Sequence, residues 1–69
     1  MNHKDILKLR GVKDYFQDLS IEYYEKATNL NYSETRRARY MGRSHAYDIA
    51  AERIDRLIIE CEKVNDDER

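Results

Sequence analysis

Apolar residues recur along the first half of the chain at Leu9, Val12, Phe16, Leu19, Tyr23, Ala27 and Leu30, always three or four residues apart. That spacing follows the 3.6-residue turn of an α-helix and not the two-residue period of a strand. The second half carries its own stripe, Tyr40, Ser44, Tyr47, Ala51, Ile54, Ile58 and Cys61, with spacings 4, 3, 4, 3, 4, 3. An unbroken alternation of this kind is a heptad seam, which needs a partner helix. Between the stripes, Asn29-Leu30-Asn31-Tyr32-Ser33 combines turn formers with two ways of capping a second helix, Asn31 followed by Glu34 or Ser33 alone. No proline occurs in the 69 residues, and Gly11 and Gly42 are the only glycines. Gly11 costs about 1 kcal/mol relative to alanine, yet the first stripe keeps its phase across it, which predicts one helix with a weak point. Asn2, with Asp5 three residues on, suits the start of that helix.

The expected fold is therefore all-α, a single helical domain with helix 1 over about 3–29, a turn at 30–33, helix 2 over 34–64 and a polar tail at 65–69. Folding the chain at residues 31 and 32 pairs Leu9 with Ile54, Val12 with Ala51, Phe16 with Tyr47, Leu19 with Ser44 and Tyr23 with Tyr40. A short connection makes such neighbours antiparallel. Charge agrees. Residues 4–13 carry four bases against Asp5, a net +3, while residues 14–25 carry only Asp14, Asp18, Glu22 and Glu25, a net −4. Residues 35–47 carry Arg36, Arg37, Arg39 and Arg43 and no acid, a net +4, and residues 48–69 carry eight acids against four bases, a net −4. Each helix is thus basic first and acidic later, against the preference of its own macrodipole. An antiparallel hairpin lays each basic half beside an acidic one, with Glu22 expected on the flank of Arg39 and Arg43, and Lys13 on that of Asp48.

A chain of this length buries only about 60% of its unfolded surface and is hard to stabilise alone. Cys61 is the single cysteine, so no intramolecular disulfide is possible and the reading is a reducing, cytoplasmic compartment. Self-association of the hairpin into a four-helix bundle is the stabilising device that remains. Met1-Asn2-His3-Lys4-Asp5 leads into no apolar run, and the longest such run, Leu57-Ile58-Ile59, is far short of a membrane span. No leader and no membrane partner are expected. The formal net charge of −1 gives no global pull toward nucleic acid.

Few residues suggest chemistry. Ser44, His45 and Asp48 lie within one helical turn, but neighbours on a helix diverge by about 100° and cannot readily share a proton. His3, His45 and Cys61 lack metal-ligand spacing. No enzyme, metal or cofactor is expected. Arg36, Arg37, Arg39 and Arg43 are a possible phosphate grip for nucleic acid, set against a plainer role in neutralising helix 1. Tyr23, Tyr40 and Tyr47 fall on the seams, whereas Tyr15, Tyr24 and Tyr32 fall on flanks or in the turn, where tyrosine suits partner contacts. Helix 2 also has a second apolar flank, Gly42, Ala46, Ala50, Leu57 and Val64 with Arg53 beside them, and Tyr15 falls on the same side. A two-helix hairpin cannot cover both its seam and this strip. Leu7, Ile21 and Ile49 point away from the seams.

The stretch Gly42-Arg43-Ser44-His45-Ala46-Tyr47-Asp48-Ile49-Ala50 resembles helices in small accessory proteins encoded by phages of Gram-positive bacteria, over roughly the second half of the chain. The resemblance implies a cytoplasmic protein of the infected host that blocks or redirects a host or anti-phage defence complex by binding it. The combined expectation is a homodimeric, non-enzymatic protein-binding module, with a nucleic-acid-binding regulator as the alternative.

Overall fold

A computed structural model of the chain describes residues 3–67, with side chains described for residues 3–63. The expected cap at Asn2 and the side chains from Val64 onward lie outside the described residues. Two helices, α1 (His3–Ala27) and α2 (Glu34–Asp67), pack on each other as an antiparallel hairpin. The Cα envelope measures 54 × 15 × 11 Å, an elongated rod. No described helix is long and apolar enough to cross a membrane.

α1 runs without a break through Gly11, so the glycine weakens the helix without splitting it. It ends at Ala27, short of the expected residue 29, where the Asn29 N–H bonds the Lys26 carbonyl three residues back at 3.2 Å and the Thr28 hydroxyl donates to the carbonyls of Tyr24 and Glu25, each at 3.1 Å. Asn29 Oδ1 then accepts the Asn31 N–H at 3.0 Å, an Asx turn that carries the chain around. Of the two expected caps, Ser33 is the one used: its Oγ accepts the Arg36 N–H at 3.2 Å. α2 continues to Asp67, three residues past the expected end. Leu30, counted in the first stripe, sits in the turn and is 83% exposed.

The inner row of α1 is not quite the apolar stripe. The residues that turn inward are Ile6, Leu9, Lys13, Phe16, Ser20, Tyr23 and Ala27, all buried or half-buried and spaced 3, 4, 3, 4, 3, 4. Val12, expected on the seam, is 44% exposed, and Lys13 takes its place. Ser20 likewise replaces Leu19 opposite Ser44. The inner row of α2 is Arg37, Tyr40, Ser44, Tyr47, Ala51, Ile54, Ile58 and Cys61, the expected stripe extended by one residue. Three direct contacts set the register: Phe16 with Tyr47, Ser20 with Ser44, and Tyr23 with Tyr40. Their residue numbers sum to 63 or 64, and the same rule places Leu9 opposite Ile54, Lys13 opposite Ala51 and Ile6 opposite Ile58.

The serine layer is the tightest point. Ser44 Oγ donates to the Ser20 carbonyl at 2.8 Å, and Ser20 Oγ donates to the Ser44 carbonyl at 3.0 Å. Such reciprocal bonds require the two backbones to approach closely, which only small side chains allow. Ser44 is 6% exposed, the one buried polar residue among the described residues, beside the buried hydrophobics Ile6, Ala27, Ala51 and Ile58. At the open end of the hairpin, Lys13 pairs with Asp55 at 2.9 Å and Arg10 pairs with Glu62. Lys13 therefore bonds Asp55 and not Asp48, which lies about two helical turns nearer the loop.

Thermal unfolding tests both the close approach and the weak point. Ser44→Leu forces extra volume against the α1 backbone and is expected to cost about 1–3 kcal/mol. Gly11→Ala is expected to stabilise by about 0.5–1 kcal/mol, because a Cβ at Gly11 meets nothing within 4 Å.

Candidate interaction surface

The heptad frame sorts the exposed side chains into two flanks. With the inner rows labelled a (Ile6, Lys13, Ser20, Ala27; Arg37, Ser44, Ala51, Ile58) and d (the rest), the g and c rows of both helices share one flank. The e and b rows share the other. The surface grooves agree with this division: one is lined by Arg36, Arg39, Tyr40 and Arg43 (g, c and d), and another by Ile21, Tyr24, Met41, Ser44, His45 and their a and e neighbours.

The flanks differ in charge. Among residues 3–63, the g and c rows hold the bases Lys8, Lys26, Arg36, Arg39, Arg43 and Arg53 against the acids Asp5, Glu22 and Glu60. The e and b rows hold Arg10 against Asp14, Asp48, Glu52, Asp55 and Glu62. One side of the rod is basic and the other acidic.

On the basic flank the d-row rings form a continuous ladder. Phe16 stacks on Tyr47 at 5.8 Å, Tyr47 on Tyr23 at 5.7 Å, and Tyr23 on Tyr40 at 5.9 Å. Tyr15 extends it at one end, 5.9 Å from Phe16, and Tyr32 closes it at the other, edge-on to Tyr40 at 5.3 Å. Ring pairs of this kind add about 0.5–1.5 kcal/mol beyond their burial. Cations cover the ladder: Lys26 lies 5.2 Å from the Tyr23 ring and 5.7 Å from Tyr40, Arg43 5.5 Å from Tyr23, and Arg36 5.7 Å from Tyr32. These contacts hold the loop end together by cation–π attraction, where the open end uses ion pairs.

The structure places the expected interaction residues as follows. Tyr15 and Leu57 are 61% and 49% exposed, Gly42, Ala46 and Arg53 are also exposed, and Ala50 is half-buried. All except Gly42, on the outer face of α2, lie on the basic flank, where Val12 joins them. Tyr24 stands on the acidic flank, while Tyr32 is half-buried against Tyr40. Arg36, Arg37, Arg39 and Arg43 form no ion pair among the described residues. Glu22, expected beside Arg39 and Arg43, bonds Lys26 on its own helix at 3.7 Å. Arg37 turns into the seam as the innermost of the four, its Nε buried without a hydrogen-bond partner. None of the four is tied by a direct ion pair to α1 among the described residues, and Arg43 meets α1 through the Tyr23 ring.

No known protein family, curated protein or solved structure matches the chain. The surface itself carries what can be said of function. Ser44, the hydroxyl next to His45 in sequence, donates its proton to the Ser20 carbonyl and is committed to the seam. Among the described residues no three His, Cys, Asp or Glu side chains group to hold a metal.

One groove was not foreseen. Ile21, Tyr24, Met41 and His45 surround an open, largely apolar depression of about 290 Å³ beside the serine layer. It exists because Ser20 and Ser44 are too small to fill the seam at that height. Its signal in the sequence is the pairing of Ile21 with Tyr24 and of Met41 with His45 on adjoining b and e rows.

The ladder separates two tyrosines adjacent in sequence. Tyr23→Ala is expected to cost about 2–3 kcal/mol by removing a half-buried ring with two stacking partners, and to reduce the near-ultraviolet circular dichroism. Tyr24→Ala is expected to change stability by less than about 0.5 kcal/mol, as the same unfolding measurement will show.

Proposed function

We propose that the chain is a non-enzymatic protein-binding module that works as a homodimer and docks on a larger protein to modulate it. One observation carries this reading: the hairpin leaves more apolar side chains in water than it encloses. Among the described residues the buried hydrophobics are Ile6, Ala27, Ala51 and Ile58. Leu7, Val12, Tyr15, Ile21, Tyr24, Leu30, Ile49, Leu57 and Ile59 are all exposed. A single layer of two helices has no second layer to cover its flanks, and exposed apolar clusters rimmed by polar residues are characteristic of interaction sites. The basic flank supplies one such cluster and the Ile21–Tyr24–Met41 groove a second on the opposite side. The resemblance to phage accessory proteins supports a cytoplasmic host or anti-phage defence protein as the target.

A second reading, a nucleic-acid-binding regulator, is favoured by the four arginines that lack ion-pair partners. Against it, the ladder rings stack on one another and offer little free face for bases, and a phosphate backbone gives Val12 and Leu57 nothing apolar to meet.

Affinity capture on the immobilised protein tests the first reading, with Ile21→Glu/Tyr24→Ala as its control. The wild type is expected to retain a defined protein from lysate of the source cell, and the variant to lose at least about tenfold of it while keeping its helical circular dichroism. Capture of nothing above background by the wild type would sink the reading. Anisotropy of a labelled single-stranded oligonucleotide that falls steeply with salt would favour the second.

A further inference from the structure

The g and c rows of α2 read in order as Arg36, Arg39, Arg43, Ala46, Ala50, Arg53, Leu57 and Glu60, spaced 3, 4, 3, 4, 3, 4, 3. This is a second heptad seam on the same helix, and α1 leaves it uncovered. It has an order that a second copy can read. Its start is arginine, its middle is small, and its end carries Leu57 and Glu60. We infer that this seam packs against the same seam of a second copy, antiparallel, about a two-fold axis at Ala50. The inference rests on the homodimer reading above and adds the geometry.

Three observations carry it. First, charge selects the direction. A parallel pairing sets Arg36, Arg39 and Arg43 against their own copies and Glu60 against Glu60. The antiparallel pairing about Ala50 brings residues whose numbers sum to 99 or 100 together, so Arg39 faces Glu60 of the other copy, twice per dimer. Both groups are exposed and neither has an ion pair among the described residues. The same pairing lays Arg43, whose guanidinium already lies over the Tyr23 ring, along Leu57 of the other copy, where its alkyl stem covers apolar surface. Second, the axis falls where the seam is narrow, since Ala46 and Ala50 allow the helices to approach. Third, α1 brings its own apolar surface to the same height. The register rule that pairs the two helices places residue 14 opposite Ala50, so Val12 and Tyr15, both exposed on this flank, bracket the axis. Antiparallel copies of α1 then set Val12 near Tyr15 of the other chain. The result is a closed, isologous four-helix bundle, with apolar contact at its centre, Arg53 beside Ala46 of the other copy, and the Arg39–Glu60 pairs toward its ends.

Sedimentation equilibrium or light scattering over a concentration series, with helicity followed by circular dichroism, tests this. Wild type is expected to be a dimer. Arg39→Glu and Glu60→Arg are each expected to weaken dimerisation by about tenfold at low salt, and the double reversal to restore it. A dimer that ignores both reversals, or that the double reversal fails to restore, overturns the antiparallel geometry and leaves the homodimer standing. A monomer at all concentrations overturns the dimer itself, while capture through the Ile21–Tyr24 groove still reports separately on the protein-binding reading. As a check independent of charge, Ala50→Cys in a Cys61→Ser background is expected to form an inter-chain disulfide on mild oxidation. Failure to cross-link in a chain that dimerises places the axis elsewhere and overturns the proposal.

Discussion

The reciprocal bonds between Ser20 and Ser44 set the geometry of everything else in this hairpin. Two hydroxyls that each reach the opposite backbone carbonyl, at 2.8 and 3.0 Å, hold the helices close at mid-length. They also lock the register, since a slip of one residue would carry both hydroxyls away from their acceptors. Each bond contributes only about 0.5–1.5 kcal/mol net, so their effect lies in selecting one alignment. Once residue 20 stands opposite residue 44, the aromatic d rows interleave on one flank and the small a rows leave a groove on the other. The ring ladder and the Ile21–Tyr24–Met41 depression are both consequences of that layer.

The two ends of the hairpin are closed by different physics. At the open end Arg10–Glu62 and Lys13–Asp55 join the helices directly. At the loop end the cations lie on tyrosine rings instead. The opposed charge halves thus do not meet along the whole length as simple cancellation requires. Asp18 and Glu25 stand on the outer face of α1 and Asp14 on the acidic flank, while Arg36, Arg39 and Arg43 of α2 stand on the basic flank. Asp5 and Glu34 in the first turns and Lys26 in the last turn of α1 follow the preference of the macrodipole, whereas the last turn of α2 carries no base. The reversed charge halves are a property of the helix bodies, where the macrodipole is weak.

Most of α2 was legible from its residues because its inner row is apolar or aromatic nearly throughout, with Ser44 fitting the phase. In α1 the fold class and antiparallel sense were equally legible, but two inner positions are polar. A search for apolar residues slides by one at each, to Val12 beside Lys13 and to Leu19 beside Ser20, and those two apolar residues belong to the flank instead. Lys13 turns inward because its long stem can lie along the seam while its ammonium reaches Asp55. The exposed apolar strip of α2 could be read from spacing alone, whereas the groove beside the serine layer needs the register as well as the row positions of Ile21, Tyr24, Met41 and His45. Its existence depends on two small residues meeting across the hairpin, which is a property of the register.

The unequal flanks constrain what such a protein can do. A small two-helix layer gains little from its own seam, as the half-buried state of most inner residues attests. Covering a flank by association adds buried apolar area without lengthening the chain. If both flanks were alike, every copy could pack on the next indefinitely, since head-to-tail contacts that do not close grow into filaments. Here the flanks differ in charge and in shape. A basic flank with small residues at its centre and opposite charges at its two ends can close on itself as a pair. The acidic flank keeps its apolar groove outward and open. In the proposed homodimer, polarising the two sides of one thin layer would let a chain of 69 residues use one side for stability and offer the other, in two copies, to a partner.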